Sequence, residues 1–240
     1  MKNLFTSRYL VLLILATVSV AGLKAQISIT TTGSSYTQNF DVLAQSGTTN
    51  AWTDNSTILG WYSNRTVYTG DNGAGTSGSL YSYGTTATSD RAIGALTSGT
   101  TPTVNIGVRI LNNTGGAISG FTISFKGEQW RQTANAQALT FDYQVGATSL
   151  TTGTWTPNSA FTFTAPKTGT AGALDGNLAG NFTNIAGTLT AALNNGQEIW
   201  LRWTKTGTTS PGLGIDDINI IANSGTSSDA NLSNLSLSSG

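Results

Sequence analysis

The sequence predicts an all-β protein in which two antiparallel sheets pack face to face, and three observations support this fold class. Residues 27 to about 222 alternate apolar and polar side chains with a period of two, in short runs separated by Gly, Asn, Ser and Asp, which is the pattern of antiparallel strands. No segment after residue 26 has the periodicity of an amphipathic helix. A single domain of about 195 residues with many strands favours two packed sheets over one.

Six strands can be placed from this alternation, and a jelly roll is the expected architecture. They cover residues 104–110, 121–125, 139–145, a short run that begins at 161, 199–204 and 213–221. In the last strand Leu213 and Ile215 share one parity, whereas Ile218 and Ile220 share the other. This slip at residues 216 and 217 predicts a β-bulge that turns two carboxylates toward a site.

Residues 1–25 have the three-part form of a secretory signal peptide. Lys2 and Arg8 lie near the start, about thirteen mostly apolar residues follow, and small residues end the segment. We expect cleavage after Ala25, with cleavage after Ala21 as the alternative. The apolar run is shorter than the ~20 residues that a spanning helix needs. We therefore expect a secreted or cell-surface protein without membrane insertion after cleavage, and a membrane anchor is the alternative.

The pattern predicts one sandwich domain over residues 26–222. Residues 223–230 are polar without apolar periodicity, which is typical of a flexible linker, and residues 231–240 resume an apolar pattern but are too few to form a core. The run from Asp229 to Leu237 resembles the opening strand of the cadherin-like β-sandwich repeats of bacterial surface proteins. The resemblance implies that residues 231–240 start a truncated second domain and that further domains follow.

The composition excludes several classes of function. Charged residues make up 9% of the chain, with 11 basic and 11 acidic residues, against roughly 25% in an average protein, so a basic surface for nucleic acid cannot be assembled. The chain has no His and no Cys, which excludes Ser-His and Cys-His nucleophile pairs, the usual structural zinc sites and disulfides. Any catalysis would have to rest on carboxylates.

An enzyme that uses carboxylates is the catalytic alternative. Small glycoside hydrolases place two carboxylates across a cleft, and this chain has only two Glu residues, Glu128 and Glu198. Glu128 lies near Lys126 and Arg131 in the sequence, where an ion pair is expected rather than a proton donor with a raised pKa. We therefore expect a non-catalytic protein.

Two motifs at the ends of the predicted domain contain acidic residues. Gln38-Asn39-Phe40-Asp41 precedes Gly60-Trp61, and Gly214-Ile215-Asp216-Asp217-Ile218 ends the domain. Together they resemble jelly-roll carbohydrate-binding modules, and the second also resembles MAM and laminin-G-like sandwiches. The resemblance implies that the first and last strands are adjacent and that Asp41 with Asp216 or Asp217 ligates a structural calcium ion. Alternatively, Asp216 and Asp217 cap a bulge or pair with Arg202.

Aromatic, cationic and amide side chains concentrate in Gly127-Glu128-Gln129-Trp130-Arg131 and in Leu201-Arg202-Trp203. With the terminal Ile-Asp-Asp-Ile, these motifs resemble a pattern of bacterial secreted sandwich domains of unassigned function. We predict that Trp61 and Trp203 are core residues, whereas Trp52, Trp155 and Trp200 are less constrained. A candidate sugar platform consists of Trp130, Trp200 and Tyr143, with Gln129 or Arg131 bonding sugar hydroxyls. The alternative role of these aromatic residues is core packing.

These features predict a non-catalytic extracellular module of a larger bacterial surface or secreted protein. The expected role is binding of a polysaccharide or cell-surface glycan, or adhesion, with a structural calcium ion. The alternative is a structural spacer or protein-adhesion domain without a small ligand. The two hypotheses differ in whether the strands turn their Trp side chains outward or into the core.

Overall fold

The computed structural model describes residues 26–225, which form sixteen strands and one 3₁₀ turn at Ser159–Phe161. The strands are β1 (Ile27–Ile29), β2 (Ser35–Gln38), β3 (Asn50–Ala51), β4 (Trp61–Ser63), β5 (Val67–Asp71), β6 (Ser79–Tyr83), β7 (Ala92–Leu96), β8 (Thr103–Asn112), β9 (Ile118–Gln132), β10 (Ala138–Val145), β11 (Thr156–Pro157), β12 (Phe163–Thr164), β13 (Gly172–Ala173), β14 (Phe182–Leu193), β15 (Glu198–Thr206) and β16 (Gly212–Ser224).

The strands form two sheets. Sheet A has the order β1-β8-β15-β10-β11, with β4 on β8 and β12 on β10, and sheet B has the order β13-β9-β16-β7-β6-β5-β3, with β14 on β9 and β2 on β16. The long strands alternate between the sheets, since β8, β10 and β15 belong to sheet A and β9, β14 and β16 to sheet B. This two-sheet jelly-roll arrangement confirms the predicted fold class.

Two strand pairs depart from the predicted antiparallel arrangement, because β1 runs parallel to β8 and β5 runs parallel to β6. The chain between β5 and β6 does not fold back as a hairpin. Instead, the carboxylate of Asp71 accepts hydrogen bonds from the backbone N–H groups of Gly73 and Gly75, at 2.6 and 3.1 Å. After this turn, residues 72–78 lead back to the start of β5, and β6 then runs parallel to β5 with Leu80 opposite Tyr68.

One continuous core fills the space between the sheets. The four apolar residues predicted to alternate along β8 are fully buried; they are Val104, Ile106, Val108 and Ile110. Trp61 and Trp203 are also buried, as predicted, and stack with ring centroids 6.0 Å apart and ring planes at 18°. Each buried Trp removes about 150–250 Å² from water, so these side chains contribute strongly to stability in a chain without disulfides.

The predicted β-bulge in β16 is confirmed. The pairing of β16 with β9 shifts register between Asp216, which lies opposite Lys126, and Asn219, which lies opposite Ser124. Asp217 takes up the extra length with φ 49°, a left-handed conformation that is uncommon outside glycine. The bulge buries the side chain of Asp216, which is 1% exposed, and leaves Asp217 at the surface.

The end of β16 differs slightly from the predicted domain boundary. The strand runs to Ser224 because Asn223 pairs with Gly120 on β9 and the Ser119 hydroxyl donates to the Ser224 carbonyl at 2.9 Å. The sheet therefore extends two residues into the segment predicted as linker. The predicted signal peptide, the rest of the linker and the predicted start of a second domain lie outside the described residues. Within residues 26–225, no helix is long and apolar enough to span a membrane.

Candidate functional site

Aromatic and arginine side chains gather on the outer face of sheet A. Along β15, Ile199 and Leu201 point into the core, so the alternation turns Trp200 and Arg202 outward. Arg109 on β8 lies opposite Trp200 in the register. We call this surface the arginine-aromatic face; it consists of Tyr62, Arg109, Trp155, Trp200 and Arg202.

Carboxylates hold both arginines of this face in place. Arg109 bonds Glu198 through Nη2 to Oε1 at 2.6 Å and through Nε to Oε2 at 2.9 Å. Arg202 bonds Asp142 through Nη2 to Oδ2 at 2.6 Å and through Nε to Oδ1 at 2.8 Å. Burial by itself would lower the pKa of Arg109, but the hydrogen bonds and charge of Glu198 outweigh it and raise that pKa. Such two-point pairing fixes the guanidinium planes.

The aromatic rings of this face differ in exposure. Trp200 is only 3% exposed because Leu150 and neighbouring residues pack over it. Tyr62 lies against Trp200 with ring centroids 4.5 Å apart, and the guanidinium carbon of Arg202 lies 3.7 Å from the ring centre of Trp155. Tyr62 and Trp155 are partly exposed. Tyr62 was not among the residues predicted from the sequence. It lies next to the predicted core residue Trp61 on β4, so the two-residue alternation places it on the outer face.

A second cluster lies on the outer face of sheet B, where acidic side chains outnumber basic ones. It consists of Asp90, Lys126, Glu128, Asp216 and Asp217, and we call it the acidic cluster. Lys126 and Glu128 project from β9 on the side opposite Phe125, which is buried in the core. Asp216 lies opposite Lys126 and Gly214 lies opposite Glu128, so no side chain from β16 faces Glu128 directly.

Lys126 is the central cation of the acidic cluster. Its Nζ lies 3.3 Å from Glu128 Oε1 and 3.6 Å from Asp217 Oδ2. The same Nζ donates to Asn177 Oδ1 at 3.3 Å, and Asn177 Nδ2 donates to Asp90 Oδ2 at 2.6 Å. The Lys126 ammonium thus contacts two carboxylates directly and is linked to a third, that of Asp90, through Asn177.

Two carboxylates of the cluster are almost completely buried. Glu128 and Asp216 are each 1% exposed. Glu128 Oε2 accepts from Trp130 Nε1 at 2.8 Å, and Glu128 Oε1 lies 3.3 Å from the Lys126 ammonium, whereas Asp216 Oδ1 has no hydrogen-bond donor among residues 26–225. Burial raises the pKa of Asp216 to about 8, and the nearby charge of Glu128 adds to the increase. Burial also raises the pKa of Glu128.

The structure brings the predicted metal-binding residues to one end of sheet B. β2 pairs with β16, so Asp41 follows a strand beside the one that carries Asp216 and Asp217. The Asp41 carboxylate accepts from Asn39 Nδ2 at 2.7 Å and from the Arg91 backbone N–H at 3.1 Å. Among residues 26–225, no three acidic side chains are close enough together to hold a metal ion.

The alternative partner that the sequence suggested for these aspartates is wrong. Arg202 lies in sheet A and bonds Asp142, whereas Asp216 and Asp217 lie in sheet B. The charged partner of Asp217 is Lys126, and Asp217 is 62% exposed.

The five residues predicted as a sugar platform do not share one surface. Trp200 and Tyr143 belong to sheet A, and Tyr143 packs against the core. Trp130, Gln129 and Arg131 belong to β9 in sheet B. Gln129 is fully buried and bonds the backbone of residue 167, and Arg131 donates to the carbonyl of residue 73 at 3.1 Å.

Trp130 lies inside an aromatic stack on sheet B. It is 1% exposed, and its ring lies 6.1 Å from the ring of Tyr83, with the planes at 5°. Tyr83 stacks in turn on Tyr81 at 4.8 Å and 2°. Trp130 therefore packs against protein on its ring faces and offers no open platform to a sugar.

The two Glu residues of the hydrolase alternative lie far apart in the fold. Glu128 is on the outer face of sheet B and Glu198 is on the outer face of sheet A. The sheets of a sandwich are about 10 Å apart, and the outer faces lie further apart still. Paired glycosidase carboxylates lie within about 10 Å of each other, so the interpretation of Glu128 and Glu198 as a catalytic pair is wrong.

Comparisons with known proteins agree in showing only distant similarity. No protein-family model and no curated protein matches the chain. Among solved structures, the CBM22-1 xylan-binding domain from Paenibacillus barcinonensis Xyn10C is 9% identical, with a TM-score of 0.38, over 82% of this chain and 99% of that one. CBM35 from the same organism is 17% identical, with a TM-score of 0.30, over 69% and 98%.

A third similar structure is an enzyme. The arabinose-bound α-L-arabinofuranosidase MgGH51 is 8% identical, with a TM-score of 0.41, over 83% of this chain but 30% of that one. Because these TM-scores are low, we assign the fold from the strand order of this chain. We argue its function from the residues on its own surfaces.

Proposed function

We propose that residues 26–225 form a non-catalytic extracellular module that binds carbohydrate on the arginine-aromatic face. The observation that carries the proposal is a pair of partly exposed aromatic rings, Tyr62 and Trp155, packed against the buried Trp200. Aromatic rings of this kind stack on the apolar faces of sugars, and polar groups around them bond the hydroxyls.

The polar groups of this face suit a neutral glycan. Each arginine is matched by one carboxylate, Arg109 by Glu198 and Arg202 by Asp142, so the face carries no excess charge. The two-point ion pairs also hold these groups in position before a ligand arrives. Less conformational entropy is then lost on binding than at a surface of free side chains.

The test is affinity electrophoresis of residues 26–225 through gels that contain soluble glucans, xylans, mannans or pectins. We expect at least one gel to retard the protein. Trp155→Ala and Tyr62→Ala should each weaken the apparent affinity about tenfold, because an aromatic stacking contact contributes about 1 kcal/mol or more.

The matched control is Leu178→Ala, which truncates an apolar side chain that is 58% exposed in the loop over sheet B. Its mobility should follow that of the unmodified protein in every gel. Thermal melts of all three variants establish that they remain folded. Free migration of the unmodified protein in every gel would contradict the proposal.

A second candidate is a structural spacer or protein-adhesion domain without a small ligand. The burial of two predicted platform residues favours this hypothesis: Trp130 is 1% exposed and Trp200 is 3% exposed. Rings that are covered by protein stabilise the fold and cannot stack on a sugar. This hypothesis predicts no retardation by any glycan. It also predicts that Trp130→Ala costs about 3–5 kcal/mol of stability.

The proposal includes export of the module by the predicted signal peptide and a place in a larger surface or secreted protein. Its support is the sequence pattern of residues 1–25, in which an apolar run follows Lys2 and Arg8. N-terminal sequencing of the protein recovered outside the cytoplasm should begin at Gln26. An intact N-terminus on that protein would contradict this part of the proposal.

A further inference from the structure

A groove of about 200 Å³ opens at the end of sheet B where β7 and β9 end and β6 and β16 begin. We call it the Arg131 groove, because Arg131 is the one charged residue among the described residues that line it. Seven of its ten lining residues are Ser or Thr. Drug-sized ligands occupy about 300–1,000 Å³, so a groove of this volume suits a smaller polar ligand, such as one sugar ring.

The backbone around Arg131 fixes the position of its guanidinium. The register between β9 and β16 shifts beside it and leaves Arg131 opposite Gly212, and a shift of this kind re-aims the side chains next to it. A Cβ added to Gly212 would lie 3.2 Å from Arg131 Cβ, so the glycine makes room for the arginine. Arg131 Nη1 donates to the carbonyls of Gly73 and Ala74 at 3.1 and 3.2 Å, which orders the group before a ligand arrives.

The rest of this guanidinium has no partner within residues 26–225. Arg131 Nε and Nη2 donate to no described residue and are not buried, and no carboxylate of these residues forms a salt bridge with them. Asp71 lies in the adjoining loop, but its carboxylate already accepts from the N–H groups of Gly73 and Gly75. Two free N–H groups on one edge of a guanidinium match the two oxygens of a carboxylate.

Three hydroxyl groups of the Arg131 groove are free to bond a ligand as well. The side chains of Thr76, Thr208 and Thr209 form no hydrogen bond within the described chain, and all three residues are exposed. The Ser210 hydroxyl, in contrast, is used between loops, where it accepts from the Thr97 N–H at 2.7 Å. A ligand that matches the groove therefore carries one carboxylate and several hydroxyls, which is the composition of a uronic acid.

We propose that the Arg131 groove binds the uronate residues of an acidic glycan. Arg131 bonds the carboxylate through Nε and Nη2, and the threonine hydroxyls bond the hydroxyls of the sugar ring. A neutral sugar would leave the guanidinium without an anion, whereas a carboxylate forms charge-assisted hydrogen bonds, which are stronger than neutral ones. The groove lies on sheet B and is separate from the arginine-aromatic face on sheet A, where each arginine already has a carboxylate partner.

The test compares two forms of one polymer, polygalacturonate and its fully methyl-esterified form, in affinity gels run with residues 26–225. Esterification removes the negative charge and keeps the sugar ring, so we expect polygalacturonate to retard the protein more strongly. Free galacturonate should release the protein, whereas acetate at the same concentration should not, because acetate has no ring hydroxyls. Equal competition by acetate would overturn the assignment to a uronate.

The variants address each part of the groove. Arg131→Gln should weaken the affinity for polygalacturonate at least tenfold, because it removes charge-assisted hydrogen bonds, and Thr208→Val should weaken it about fivefold, because it removes a neutral one. The matched control is Arg65→Gln. It changes the net charge equally, at an arginine that also forms no salt bridge within residues 26–225 but lies outside the groove, so it should bind like the unmodified protein.

Thermal melts check that the variants are folded, and Thr208→Val, at an exposed residue, keeps the test decisive if Arg131→Gln does not fold. Equal retardation by both forms of the polymer, or equal losses in Arg65→Gln and Arg131→Gln, would overturn the site. Trp155→Ala on sheet A should leave the preference for polygalacturonate unchanged. A protein that binds neutral glucans or mannans without this preference would overturn the Arg131 groove as a site and leave the proposed function intact.

Discussion

Lys205 is a buried cation on the inner face of β15. It is fully buried, and its Nζ donates to Gln137 Oε1 at 2.5 Å and to the Thr206 carbonyl at 3.2 Å. No carboxylate among residues 26–225 forms a salt bridge with it. Burial lowers the pKa of Lys205 from the ordinary value of 10.5 to about 8. The folded protein therefore carries a poorly compensated positive charge at neutral pH.

Replacing this lysine by an apolar residue of similar length should stabilise the protein. At pH 7 we expect Lys205→Met to increase the free energy of unfolding by on the order of 2 kcal/mol, because the cost of burying the charge disappears. Below about pH 8, Lys205 is protonated in both the folded and the unfolded protein. Between about pH 8 and pH 10.5, the folded protein loses this proton whereas the unfolded chain keeps it. The stability of the unmodified protein therefore rises across that interval.

The measurement is urea unfolding of both proteins at pH 7 and pH 10. The advantage of Lys205→Met should shrink at the higher pH, and the comparison between two otherwise identical proteins removes the contribution of other titrating groups. An advantage that is the same at both pH values would contradict the lowered pKa.

The individual tryptophans show where sequence reasoning works and where it stops. Strand parity correctly assigns Trp61 and Trp203 to the core. Parity also turns Trp200 outward, but it does not predict that Leu150, in the loop after β10, covers that ring. Trp130 is similarly enclosed, since a Cβ added to Gly176 would lie 2.5 Å from its ring. An outward side chain becomes buried when a loop packs over it, and the two-residue period carries no information about loops.

At the scale of elements, β7 and β16 approach closely where two glycines face each other. Gly94 lies opposite Gly214 in the register. A Cβ added to Gly94 would lie 2.3 Å from the Leu213 carbonyl oxygen and 2.8 Å from the ring of Tyr83. The missing side chain thus makes room for both the strand pairing and the aromatic stack that contains Trp130.

A methyl group at this position should separate the strands. We expect Gly94→Ala to lower the free energy of unfolding by about 3 kcal/mol, because backbone on β16 has to move. The control is Gly99→Ala, at which an added Cβ meets nothing within 4 Å and should change stability by less than about 0.5 kcal/mol. Thermal and urea unfolding measure both, and equal effects would contradict the close-approach argument.

The strands that the sequence predicted are the ones with strong apolar alternation. Residues 104–110, 139–145 and 199–204 fall within β8, β10 and β15, and the slip at Asp216 corresponds to the bulge in β16. β14 was not placed because Thr, Ala and Gly fill much of it, which weakens the contrast between its faces. The candidate site was predicted less well. Its surface combines β4, β8, β15 and a loop, and which strands are neighbours cannot be inferred from the periodicity of each strand alone.

At the scale of the whole molecule, the last strand of the described chain is central to sheet B. β16 lies between β9 and β7 and also pairs with β2. We expect a fragment that ends at residue 211 not to fold, because β9 and β7 then lose their common neighbour. Far-UV circular dichroism should show little β-structure, and a peptide of residues 212–225 added in trans should restore part of the signal. A cooperative melt of the fragment alone would contradict this expectation.

The position of β16 also determines when the protein can fold. Because ribosomes deliver the N-terminal residues first, at about 5–20 residues per second, the partners of β16 must wait for several seconds without it. Gln38 finally pairs with Ile218 across most of the chain, and folds with such distant pairings form slowly, in milliseconds to seconds. Most of the nascent polypeptide is therefore synthesised before its native sheet B can close around β16. An export channel admits only unfolded chain, so this order of synthesis is compatible with the export that we propose.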